Sequence, residues 1–208
     1  ISFKLNKNIQ ESCGAIVSYY YNSDTDQFEY CDITIENCHL SGEGKISDTN
    51  AGGIVGNTFG QYSDCSIKYC SNRLDISGND AGGICGNQAG YEQGTLIIEY
   101  CWNEGKIGGS RSGGICGRRV GNENETNPPI IRYSYNTGKI NGKYNGGICG
   151  GNAKYGEIFN CYNIGNGYST SRKQGGILGN SGYSVNIYNC WSTSNSGLYR
   201  TIAAQAAS

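Results

Sequence analysis

The sequence Gly82-Gly-Ile-Cys-Gly86 returns along the chain with little more than its fourth residue varied. The other copies begin at Gly52, Gly113, Gly146 and Gly175, and a degenerate copy begins at Gly14. From Gly52 onward, successive copies start 29 to 33 residues apart. A regular period of this length is typical of solenoids, in which each repeat forms one coil that packs on its neighbours.

A second motif lies between the glycine copies: an isoleucine, then a cysteine or serine three residues later. Its isoleucines are Ile35, Ile67, Ile98, Ile131, Ile158 and Ile187. A third row of isoleucines follows at Ile46, Ile76, Ile107 and Ile140, and Tyr168 is expected to continue it. The pattern therefore predicts three short strands in each repeat.

One such repeat cannot fold by itself. Three buried isoleucines contribute roughly 5 to 9 kcal/mol, whereas ordering about 30 residues costs tens of kcal/mol. Stacked coils solve this problem because every strand then pairs above and below. We predict an all-β, single-chain, right-handed β-solenoid (β-helix) of about six coils, each of roughly 30 residues and three short strands.

Three segments are expected along the chain. Residues 1–34 are predicted to form an irregular N-terminal coil or the continuation of a preceding repeat, and residues 35–191 the repeat solenoid. Residues 192–208 form a tail or a short cap, and their alanines favour helix. Because the chain opens at Ile1 and contains no methionine, we interpret it as a processed chain or a piece of a longer one.

Composition argues against several function classes. The 34 glycines disfavour helix, and no apolar run approaches the roughly 18 residues that span a bilayer, so we expect no membrane insertion. The net charge is −1 and the basic residues are scattered, which predicts no nucleic-acid partner. No zinc-type cysteine spacing occurs, and His39 is the single histidine. We therefore expect no metal and no cofactor.

The eleven cysteines allow two interpretations. They could be stacked free thiols acting as small apolar fillers, because Val, Leu or Ser occupies the equivalent place in other repeats. They could also include disulfides between adjacent coils, such as Cys85 with Cys116 or Cys70 with Cys101. The sequence leaves both open.

Four aromatic residues are candidates for ligand binding or self-association. They follow the Cys or Ser of the second motif: Trp102, Tyr135, Tyr162 and Trp191. Strict alternation after the buried isoleucine points them inward, whereas a bend at the motif would form an exposed stripe. Such a stripe could contact sugars or another copy of the chain. Separately, Asn124 in the loop 118–129 begins a sequon and is a candidate glycosylation site.

Two of the repeats resemble a known family. Asn160-Cys-Tyr-Asn-Ile-Gly165, and Tyr135-Asn-Thr-Gly-Lys-Ile140 followed by Gly146-Gly-Ile-Cys-Gly150, look like GLUG-type repeats of large surface proteins. The resemblance covers roughly residues 35–191 and implies a β-helical, surface-exposed stalk or adhesive segment. This chain uses Ile and Cys where those repeats have Leu or Val. It also lacks the H-E-x-x-H site of the immunoglobulin-A-cleaving metallopeptidases that carry such repeats, so peptidase activity is not carried over.

We expect a noncatalytic structural or adhesive protein, extracellular or displayed on a cell or virion surface, or assembled into a filament. Unmatched solenoid ends favour end-to-end self-association or continuation into a longer chain. The alternative is a carbohydrate-binding module that uses the aromatic stripe to contact surface glycans. A polysaccharide-degrading enzyme is the third hypothesis, and it would need an acidic cluster such as Asp24, Asp26 and Glu29.

Overall fold

The protein is a β-solenoid. The computed structural model describes residues 2–5, 13–17, 32–92, 94–121, 126–167, 174–180 and 182–193. Within these ranges the regular structure is all β-strand, and every strand pairing is parallel and links neighbouring coils. The chain makes about five turns of about 31 residues each. This confirms the predicted architecture, and the expected six coils are close to the number found.

Two long sheets form adjacent sides of the coil. The first contains β1 (Ser2–Leu5), β3 (His39–Gly42), β6 (Ser71–Asn72), β9 (Trp102–Asn103), β11 (Tyr135–Asn136), β13 (Tyr162–Asn163) and β15 (Trp191–Ser192). The second contains β2 (Thr34–Glu36), β5 (Cys65–Lys68), β8 (Leu96–Glu99), β10 (Ile130–Arg132), β12 (Glu157–Phe159) and β14 (Asn186–Tyr188).

The third row of isoleucines forms a shorter side. Strands β4 (Lys45–Ile46) and β7 (Asp75–Ile76) pair there, and bridges continue the row through Ile107 and Ile140. The next partner of Ile140 is Gly167. The expectation that Tyr168 continues the row is thus wrong by one residue of register, and Tyr168 itself lies outside the described residues.

The second motif supplies two strands because the chain turns between them. The residue just before each cysteine or serine of the motif has a positive φ, between 50° and 54°. These residues are Asn37, Tyr69, Tyr100, Tyr133, Asn160 and Asn189. The glycine motif pairs instead through isolated bridges, such as Gly82 with Gly113. Three strands per coil are found in the coils of β2–β4 and β5–β7, as predicted.

The core is built of rows with one residue per coil. Ile67, Ile98 and Ile131 are in register in the second sheet and are buried, and Ile84 and Ile115 occupy the same place in successive glycine motifs. Burying such a side chain contributes about 1.5 to 3 kcal/mol. The rows run through the described coils, so each coil is stabilised chiefly by its neighbours.

The glycine motif is required by close approach between coils. A Cβ on Gly83 would collide with the carbonyl oxygen of Gly114 in the next coil and lie 2.7 Å from Oδ1 of Asn103. The backbone at Gly83 does not have a positive φ. Space rather than backbone conformation therefore demands glycine here.

A column of asparagine side chains runs inside the first sheet. Each Nδ2 donates to Oδ1 of the asparagine in the next coil, from Asn72 to Asn103, from Asn103 to Asn136 and from Asn136 to Asn163, at 2.7 to 2.8 Å. All four side chains are fully buried. Each amide also binds backbone within its own coil, as Asn103 Nδ2 does to the Gly105 carbonyl at 2.7 Å. The column thus supplies polar partners where the backbone turns away from the sheet.

Candidate functional site

The turn in the second motif places the four candidate aromatic residues on the outside of the first sheet. Their rings stack in register: Trp102 on Tyr135 at 5.9 Å between centroids, Tyr135 on Tyr162 at 4.8 Å, and Tyr162 on Trp191 at 5.2 Å. The interplanar angles are 3° to 9°. The four residues form one aromatic ladder. Its first three side chains are half-buried, and Trp191 at its end is 52% exposed.

Stacking limits what the aromatic ladder can bind. A ring that is stacked on both sides presents its edge to solvent, whereas a sugar packs against a ring face. Tyr135 and Tyr162 are covered on both faces by neighbouring rings. Ring faces that no other ring of the ladder covers therefore occur only at its two ends, at Trp102 and at Trp191.

The ladder stops at Trp102 because the next coil carries a serine. In register along the first sheet, Trp102 is followed by Ser71 and then by His39. The His39 ring leans across this gap, with its centroid 5.4 Å from that of Trp102 and the two planes at 43°. The Nδ1 atom of His39 is hydrogen-bonded to Ser71 Oγ at 2.9 Å. A cleft of about 350 Å³ opens beside these residues and reaches Ser2, Ser41 and Arg73.

An ion pair borders the cleft. Arg73 Nε lies 3.0 Å from Oε2 of Glu104, and its Nη2 donates to Oε1 at 3.3 Å. The indole Nε1 of Trp102 donates to the same Oε1 at 3.0 Å. Both charged side chains are exposed, so the pair contributes little to stability but holds the guanidinium in one orientation.

A second aromatic stack was not predicted. Tyr69, Tyr100 and Tyr133 stack at 5.0 Å with angles of 8° to 10°, and Phe159 stacks on Tyr188 at 4.8 Å. The tyrosines occupy the positive-φ position before the cysteine or serine, and the other two rings lie one residue earlier in the motif. The recurrence of tyrosine at that place was visible in the sequence, but its outward direction depends on the turn.

Charged residues form two outer rows. In the second sheet, Glu99 lies between Lys68 and Arg132, with N···O distances of 3.3 Å and 2.7 Å. Glu99 is buried beneath its two partners. The other row lies beside the third isoleucine row and consists of exposed charged residues, Lys45, Asp75, Lys106 and Lys139.

None of the ten cysteines within the described residues forms a disulfide. Six of them form two stacks, one through Cys38, Cys70 and Cys101 and one through Cys85, Cys116 and Cys149. Burial raises the pKa of Cys101 and of Cys116 well above the ordinary value. A hydrogen bond with Cys116, added to burial, does the same for the pKa of Cys149. The thiols of Cys101, Cys116 and Cys149 therefore stay protonated at neutral pH and act as apolar fillers, as the first interpretation expected.

Within the described ranges, no group of three or more His, Cys, Asp or Glu side chains is arranged to hold a metal. The same part of the chain contains no helix that is long and apolar enough to cross a membrane. The candidate glycosylation site Asn124 and the acidic residues Asp24, Asp26 and Glu29 lie outside the described residues. Of the site residues predicted from the sequence, the structure brings the four aromatics together, and the role of Asn124 stays a prediction.

Comparison with protein-family models, with curated proteins and with solved structures found no match. The resemblance to GLUG-type repeats therefore stays a prediction that is based on the sequence motifs.

Proposed function

We propose that this chain is a noncatalytic structural or adhesive protein, displayed on a cell or virion surface or assembled into an extracellular filament. The observation that supports this proposal is the continuity of its ladders. Along both long sheets the inward positions are filled by packing and hydrogen-bonding residues, while outward positions form rows of rings or paired charges that run over several coils. Such a shaft repeats one set of contacts over its length, as a scaffold requires.

The last described coil supports assembly through another copy of the chain. Among the described residues, β14 and β15 are each paired on one side, with β12 and β13. Tyr188 and Trp191 on these strands are 45% and 52% exposed, and each ends an aromatic stack. An edge strand with an exposed ring is a ready template for the first coil of a second molecule.

The test is static light scattering with negative-stain microscopy at several protein concentrations. End-to-end assembly predicts particles that lengthen as the concentration rises. The variant Trp191→Lys should suppress the growth, because a lysine on an edge strand opposes further pairing. The matched control is Tyr100→Lys, a 40% exposed position in a coil whose strands are paired on both sides.

Particles that remain monomeric at all concentrations, or growth that is reduced equally by the two variants, would contradict the assembly part of this proposal. A monomer that adheres to cells would contradict assembly but would still support the adhesive function.

Glycan binding is the second candidate, and the cleft lined by the Trp102 and His39 rings favours it. The covered faces of Tyr135 and Tyr162 argue against the aromatic ladder as a continuous sugar platform. A glycan screen separates the two candidates, because a purely structural shaft binds no sugar specifically.

A further inference from the structure

We propose that the cleft beside Trp102 is a binding site for one unit of a neutral saccharide. The proposal deepens the second candidate above and does not depend on self-assembly. Its failure would therefore leave the structural role intact. Four features of the cleft carry the inference: its shape, its apolar wall, its hydrogen-bonding groups and its charge.

Small side chains make the floor of the cleft. Ser2, Ser41 and Ser71 line it, each contributed by a different strand of the first sheet. Ser71 stands in the row that carries a ring in each of the following four coils. The missing ring leaves a volume of about 350 Å³, which is at the lower end of the range for small-molecule sites and suits a single sugar ring.

The indole of Trp102 forms the apolar wall. One of its faces is covered by Tyr135. The other faces the His39 ring, whose centroid lies 5.4 Å away and whose plane is tilted by 43°, and both rings line the cleft. The C–H face of a pyranose is apolar, and its burial against an indole removes both surfaces from water.

Hydrogen-bonding groups surround this wall. Arg73 carries five N–H donors, and the two interactions with Glu104 leave others directed away from that carboxylate. His39 uses Nδ1 for Ser71, which leaves Nε2 for a ligand. A sugar hydroxyl both donates and accepts, so it can pair with each of these groups.

The charge of the cleft favours a neutral ligand. Glu104 lies within 3.3 Å of the Arg73 guanidinium and cancels its charge locally. An anionic sugar would have to compete with this carboxylate for the guanidinium, whereas a neutral sugar can use the donors that remain. We therefore expect neutral hexose or pentose polymers to bind in preference to polyuronates.

The test uses the fact that Trp102 and Trp191 are the two tryptophans of the chain. In the full-length variant Trp191→Phe, Trp102 is the sole indole reporter. Its emission is followed while cellohexaose, laminarihexaose, mannohexaose, xylohexaose or hexagalacturonate is added up to about 10 mM, which detects weak binding. We expect a saturable change with at least one neutral oligosaccharide.

Two further substitutions are made in the Trp191→Phe background. Arg73→Ala should weaken binding roughly tenfold or more, since a hydrogen bond from a charged group is lost, while Arg119→Ala at another exposed arginine should leave it unchanged. Ser71→Tyr should abolish binding by completing the ladder and filling the cleft, with the fold retained by circular dichroism.

Several results would overturn the proposal. These are no saturable change with any neutral oligosaccharide, equal binding by the Arg73→Ala and Arg119→Ala variants, or undiminished binding after Ser71→Tyr. Tighter binding of hexagalacturonate than of every neutral oligosaccharide would refute the assignment of a neutral ligand.

Discussion

Removing one amide from the asparagine column should weaken the whole solenoid. The substitution Asn103→Ala deletes three hydrogen bonds: from Nδ2 to the Gly105 carbonyl and to Asn136 Oδ1, both at 2.7 Å, and from Asn72 Nδ2 to Oδ1 at 2.8 Å. Each bond contributes about 1 kcal/mol, and a buried partner that is left unsatisfied costs more. We expect the free energy of unfolding to fall by about 3 to 5 kcal/mol, a large share of a typical total.

The assay is urea denaturation followed by far-UV circular dichroism, with Asn141→Ala as the control. Asn141 is exposed, so the control substitution also removes an asparagine amide but should change the free energy of unfolding by no more than about 0.5 kcal/mol. If Asn103→Ala shifts the unfolding midpoint no more than the control does, the amide column does not stabilise the stack and the reasoning is wrong.

Three other perturbations test separate parts of the structure. Gly83→Ala should prevent folding or cost more than about 4 kcal/mol of stability, because the added Cβ would collide with the backbone of the next coil. Gly108→Ala is the control and should be tolerated, because its Cβ would make only ordinary contacts. The urea midpoint of unfolding measures both. Tyr135→Ala removes two ring stacks and should cost about 1 to 3 kcal/mol and alter the near-UV circular dichroism, while Ile164→Ala at an exposed position serves as the control. Stability should also fall as pH rises above about 9, because unfolded thiols ionise there while burial raises the pKa of Cys116 in the folded state. Each such thiol contributes a slope of up to about 1.4 kcal/mol per pH unit, and a urea midpoint that is constant between pH 8 and pH 10 would contradict this.

The repeat architecture could be predicted because every coil meets the same physical demand. Isoleucine recurs where a side chain must be buried against the coils above and below, and glycine recurs where backbones approach closely. Because every coil has these two requirements, isoleucine and glycine each recur at a fixed spacing in the sequence. The period, the parallel pairing and the in-register isoleucine rows therefore follow from the sequence, and the structure confirms them.

The direction of the aromatic side chains could not be predicted in this way. It depends on a single residue per coil, such as Tyr100, that adopts a positive φ of 54°. Non-glycine residues adopt this conformation rarely, and tyrosine gives no local signal for it. Without the turn, Trp102 would point into the core, so one backbone dihedral angle decides between a core residue and a surface ladder.

The cleft is a departure from the repeat rather than a consequence of it. A serine at position 71 breaks a row that carries rings on the following coils. The sequence pattern alone does not show that His39 leans across the gap or that Glu104 orients Arg73, because both depend on contacts between residues of different coils. Such a site can be identified only when the register between neighbouring coils is known for each residue.

The register of the coils is the central claim, and contacts between isoleucine methyl groups test it most directly. In a sample labelled at isoleucine methyl groups, nuclear Overhauser contacts should link Ile35 to Ile67 and then successively Ile98, Ile131 and Ile158, since neighbouring strands lie about 4.8 Å apart. Contacts that join these residues in another order, or that are absent between Ile98 and Ile131 in a folded sample, would contradict the stacked solenoid.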